Sequence, residues 1–141
     1  MGEEMEVKMT ESKVKHLEMI QAIISRMASN SVMLKGWTIT LVVALFVLAG
    51  KDLELSLPFV TMVALPVLVF WGLDSYYLQK ERLYRDLYDV VRIKQQDIDF
   101  SLHTEEADFP GYIKCVLRAV EVGFYLPLLV MAILAVVLIS L

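Results

Sequence analysis

Lys35, Asp74, Arg118 and Glu121 are the residues of this chain whose types and places invite chemistry, because each stands at the end of a long apolar run. Lys35 opens the run that starts at Gly36, Asp74 comes just before a charged stretch, and Glu121 follows Arg118 by three residues, about one helical turn. An ionised side chain within hydrocarbon is expensive, about 3 kcal/mol at the centre of a membrane helix, unless it is paired or hydrated. Two uses fit such a set. The four can form a ring of ion pairs that pins three helices at one level, or identical acids from several subunits can converge on a cytoplasmic vestibule that favours cations.

Enzymatic alternatives have less to work with. No H-E-x-x-H, G-x-S-x-G, phosphate-cradling glycine loop or dinucleotide fingerprint occurs in the 141 residues. His16 falls on a predicted helix near Lys15 and Glu18, and His103 falls in an acidic loop. Both read as surface residues, since a general base needs a partner and a pocket. The segment 97–111, DIDFSLHTEEADFPG, carries five acids, but their spacing matches neither a calcium loop nor a zinc helix. The single Cys115 can close no intramolecular disulfide and cannot build a structural zinc site, so it reads as a reduced cytoplasmic thiol. The expectation is a protein that is not an enzyme, with no catalytic, cofactor-binding or metal-binding residue. Nucleic acid is not an expected partner either, because no basic stripe interleaved with aromatics is present.

The elements that must position the four charges are apolar. The chain is 57% hydrophobic with a mean hydropathy of +0.60, too apolar for an ordinary soluble domain of this size. It reads as a single membrane domain over 1–141. The segment 57–77, LPFVTMVALPVLVFWGLDSYY, holds one acid and no base, and 20 helical residues cover the roughly 30 Å hydrocarbon core. Trp71, Tyr76 and Tyr77 gather at one end of it, where amphipathic rings favour the headgroup layer. A first span over 36–50 is bracketed by Lys35 and Lys51, which can snorkel, and is joined to 57–77 by a short hairpin connector. A third span covers 119–141, with no charge from Val122 onward. Pro66 and Pro127 lie inside the second and third spans and predict a kink or local repair at each.

Helical periodicity continues outside the spans. Leu17, Ile20, Ile24 and Met27 recur at steps of three and four within an amphipathic helix over 12–34, interrupted by Ser29-Asn30-Ser31. The polar residues 1–11 carry no apolar segment of a cleavable signal and are expected to be frayed, with Thr10 or Ser12 as the helix cap. Beyond Tyr77 the period runs on as a stalk over 78–96, in which Tyr84, Leu87, Tyr88 and Val91 present apolar side chains on more than one face. Those positions and the seam of the amphipathic helix are the candidate bundle or oligomer contacts. The segment 97–111 is the one expected loop, with Pro110-Gly111 as its turn. The predicted fold is therefore an all-α integral membrane protein: three transmembrane helices, an N-terminal amphipathic helix and a cytoplasmic helical extension of the second span.

Twelve of the 13 basic residues precede the first span or lie between the second and third, and only Lys51 falls in the connector. The positive-inside rule then puts the N-terminus in the cytoplasm and the C-terminus outside. At residues 16–37, HLEMIQAIISRMASNSVMLKGW, and 70–91, FWGLDSYYLQKERLYRDLYDVV, the chain resembles a group of small, mostly uncharacterised bacterial inner-membrane proteins. In broad plan it is also similar to the short two-span effector modules found beside bacterial nucleotide-signalling defence genes, though its third span departs from that plan. The first resemblance implies the bacterial inner membrane as location, and the likeness of plan to the effector modules implies membrane permeabilisation as an activity. The expected function is a small homo-oligomer that forms or gates an ion-permeable path, with membrane lipid as its surroundings. The alternative is a non-conducting scaffold or regulatory subunit that docks a cytoplasmic partner protein.

Overall fold

The computed structural model describes residues 2–52, 57–94 and 99–140. Among the described residues four helices follow one another: α1 (Gly2–Asp52), α2 (Leu57–Ile93), α3 (Phe109–Val116) and α4 (Ala119–Ser140). At 1.5 Å per residue, α1 is about 76 Å long and α2 about 55 Å, well beyond the roughly 30 Å of a bilayer core. Two helices, α1 and α2, are thus long and apolar enough to cross a membrane, and α3 with α4, bent by 59° at their junction, make a third candidate span.

The long helices run antiparallel. Lys13 meets the end of α2 at Arg92, Lys35 meets Asp74, and Phe46 meets Phe59, so the pairing descends α1 as it ascends α2. Their apolar halves lie together at one end, and their polar halves form a two-helix arm at the other. The apolar end has its own core, in which Val42, Phe59, Val63, Val67, Tyr125 and Ala132 are buried where α4 packs against the hairpin. In the arm, Ile20, Ile24 and Val91 are buried and Leu17, Tyr84, Leu87 and Tyr88 pack around them. Met27 is half-buried on the same seam. The heptad positions are therefore used within one chain, to zip α1 onto α2.

Several expectations are corrected. Residues 2–11 are helical rather than frayed, and Thr10 bonds back through Oγ1 to the carbonyl of Glu6 at 2.9 Å instead of capping. The predicted helix over 12–34 and span over 36–50 are one uninterrupted helix, because Ser29-Asn30-Ser31 supplies polarity but no breaker. The helix of the stalk ends at Ile93, and residues 95–96 of the expected stalk, 97–98 of the loop, 53–56 of the connector and Leu141 lie outside the described residues. The end of the expected loop is helical: Pro110 and Gly111 sit in the first turn of α3, where a missing N–H is harmless. Asp108 caps that turn, its Oδ1 accepting from the Gly111 N–H at 3.1 Å. Pro66 and Pro127 lie inside α2 and α4, which continue through them.

Lys13 has a use that its exposed-face position conceals. Its Nζ donates to the carbonyls of Arg92 at 3.0 Å, in the last turn of α2, and of Lys94 at 2.6 Å, just past its end, groups of the kind that a helix leaves without partners. A cation there also complements the negative end of the helix dipole.

The apolar end leaves much side-chain surface uncovered. Val32, Trp37, Val43 and Val47 of α1, Leu65 and Leu68 of α2, and Ile133 and Leu134 of α4 are all exposed. Water-soluble monomers rarely present such a continuous apolar girdle, whereas lipid accepts it without cost.

Candidate functional site

Three of the four charges predicted from the sequence come together where α1, α2 and α4 meet. Lys35 of α1 donates through Nζ to Asp74 of α2 and, at 3.0 Å, to Oε1 of Glu121 on α4. The lysine side chain is 19% exposed, Asp74 is fully enclosed and Glu121 is 3% exposed. Arg118, expected in the same cluster, is instead exposed at the bend between α3 and α4. The helical turn that follows it is closed, the Val122 N–H donating to the Arg118 carbonyl at 2.9 Å, yet the ammonium of Lys35 and not the guanidinium pairs with Glu121.

Each partner is held from a second side. Lys35 Nζ also donates to Ser31 Oγ at 3.2 Å, one turn earlier on α1, and sits 5.8 Å from the ring centres of both Phe124 and Tyr125. The ring faces attract the ammonium by cation–π interaction. Glu121 occupies the first turn of α4, where a carboxylate is favoured by the free N–H groups of the helix start. Tyr125 donates its hydroxyl to Asp74 Oδ2 at 2.8 Å, and its ring stacks on Trp71 at 5.8 Å with the planes 10° apart. Trp71 in turn donates through Nε1 to the Val116 carbonyl at 3.1 Å, tying the cluster to the end of α3.

The balance of donors and acceptors is uneven. Two carboxylates share one ammonium, and Asp74 Oδ1 and Glu121 Oε2 are buried with no hydrogen-bond partner among the described residues; Ser75 Oγ, on the next residue of α2, is in the same condition. Such a cluster is costly to bury and costlier to break, because removing one partner leaves an uncompensated charge. It therefore ties three helices at one level and is sensitive to any change in charge.

Sequence reasoning missed Tyr125, Phe124 and Ser31. The signal was available for two of them: Tyr125 is four residues after Glu121 and Ser31 four before Lys35, so each shares a helix face with the charge it supports. His16, expected at the surface, is fully buried and meets Phe100 edge to face at 5.6 Å, with neither ring nitrogen hydrogen-bonded among the described residues. Phe100 lies against it, a long-range contact that no helical period reveals. His103 is exposed beside Asp86, Leu87 and Glu105. Cys115 is buried as a free thiol on α3. Among the described residues, no three of His, Cys, Asp and Glu converge as a metal site.

No protein-family model, curated protein or solved structure matches this chain. The class defined by the fold is an all-helical protein with helices long and apolar enough to cross a membrane.

Proposed function

We propose that this protein is the protomer of a small homo-oligomeric assembly of the bacterial inner membrane that gates an ion-permeable path, and that it is not an enzyme. In this reading Lys35, Asp74 and Glu121 are the latch of the closed form. The observation that carries it is the shared ammonium: one buried cation serves two carboxylates on two different helices. A change of charge at any member then favours separation of the helices. The interior of the apolar end supports a path between chains rather than through one, since Val42, Phe59, Val63, Val67, Tyr125 and Ala132 fill the space among α1, α2 and α4. The arm, with most of the basic residues, lies in the cytoplasm, three helices cross the lipid, and α4 ends outside. Permeabilisation in response to a defence signal is the cellular role that fits the broad likeness of plan to the short effector modules of bacterial defence genes, a likeness of architecture alone.

Ion flux from liposomes holding the purified chain tests this reading. Asp74→Asn and Glu121→Gln are expected to change the flux of the wild type, and absent or unaltered flux in all three counts against it.

The second reading, a non-conducting scaffold or regulatory subunit that docks a cytoplasmic protein, is favoured by one observation. Both acids face the interior of their own chain, so in this form they hold helices together rather than line a shared axis. Silent liposomes together with saturable binding of one defined cytoplasmic protein to the arm would select it.

A further inference from the structure

We propose that α3 is an in-plane anchor that binds the anionic phospholipid surface at the cytoplasmic face of the membrane. The inference rests on the membrane reading above and adds a ligand class and a binding surface to it.

One long side of α3 is committed to the protein. Tyr112 donates its hydroxyl to the Gly72 carbonyl at 3.1 Å, Gln79 Nε2 donates to the Asp108 carbonyl at 2.8 Å, and Cys115 is buried. Gly72 permits this approach, since a Cβ there would come within 3.2 Å of the Tyr112 hydroxyl. The opposite side is bare and apolar. Phe109 is 74% exposed, Ile113 36% and Leu117 68%. Steps of four place these three within about 80° of one another around the axis, and Lys114 follows on the same open side, at the rim of the apolar edge. Lys114 and Arg118 are both exposed.

Three observations select lipid as the occupant. The first is direction: α3 departs from the axis of α4 by 59°, so if α4 crosses the bilayer, α3 leans toward its plane. The second is depth. The helix is fastened at Gly72 and Gln79, among Trp71, Tyr76, Tyr77 and Tyr112, residue types that gather at the headgroup layer. The third is continuity, because the bare edge runs through Val120 into the exposed apolar side of α4. An apolar edge with Lys114 and Arg118 beside its C-terminal end, and the exposed Glu105, Glu106 and Asp108 before its start, matches acyl chains below and, at the two cations, phosphates above, as in an interfacial helix. The basic rim selects anionic headgroups over zwitterionic ones.

The full chain, reconstituted in bilayers of phosphatidylglycerol and phosphatidylcholine, tests this with nitroxide labels placed singly at Ile113→Cys, Leu117→Cys and Val130→Cys in a Cys115→Ala background. Labels at 113 and 117 are expected to meet dissolved oxygen more than a water-soluble nickel reagent, at a shallower depth than the label at 130. Free access of the nickel reagent to 113 and 117, or exclusion of both reagents by a protein cover, overturns the anchor while a buried label at 130 keeps the spans. A water-exposed label at 130 overturns both. A second measurement reads lipid choice: Lys114→Gln with Arg118→Gln is expected to lower the preference of boundary lipid for phosphatidylglycerol several-fold, and unchanged preference overturns the assignment to anionic lipid.

Discussion

Lys35 and Glu121 lie 86 positions apart in the chain and 3.0 Å apart in the fold, and Asp74 completes the contact from the helix between them. Without the lysine, two carboxylates would face each other in a buried site. Lys35→Met is therefore expected to destabilise the protein by about 3 to 5 kcal/mol, the cost of stranding a buried charge. The triple variant with Asp74→Asn and Glu121→Gln is expected to recover most of that loss. Thermal unfolding in detergent measures both, and a single-variant loss below about 1 kcal/mol would show that the cluster is not a tie.

Tyr125 offers a finer cut at the same site. Tyr125→Phe keeps the ring that stacks on Trp71 and removes the hydroxyl that Asp74 accepts. A hydrogen bond to a charged group is worth about 1.5 to 3 kcal/mol, so a loss in that range is expected, smaller than that of Lys35→Met. A loss larger than that of Lys35→Met would mean that the hydroxyl, not the ammonium, dominates the site.

Lys13 acts at the far end of the arm, on the terminal carbonyls of α2. Lys13→Met is expected to speed hydrogen exchange in the last turn of α2 while leaving exchange around Asp74 unchanged. Faster exchange along the whole of α2 would contradict a local capping role.

His16 occupies a fully buried place against the ring of Phe100, with both nitrogens lacking partners among the described residues. A buried polar group without a partner costs about 1 to 3 kcal/mol, so His16→Leu, of similar bulk, is expected to be neutral or stabilising in the same unfolding assay. Clear destabilisation would show that the imidazole has a partner in the assembled protein.

The parts of the fold legible in the sequence were those with a local cause. Apolar length announced the candidate spans, and the three- and four-residue steps from Leu17 to Met27 announced the seam of the arm. Lys35, Asp74 and Glu121 stood out because charge interrupts or borders apolar runs. Arg118 misled: it stands at the 59° break between α3 and α4, which no glycine or proline marks, and it is exposed there although the turn that leads to Glu121 is helical. Pro110-Gly111 also misled, since the same pair serves a turn or the first turn of a helix, and the Asp108 cap decides which. The burial of His16 depends on Phe100, 84 positions away, and no pattern within α1 encodes that.

The central claim is an ion path between copies of this chain, and the most direct measurement is the number of chains per particle in lipid nanodiscs. Because apolar side chains fill the space among α1, α2 and α4, the account predicts two or more chains in every particle that conducts. A protein that is strictly monomeric in lipid at every concentration contradicts it.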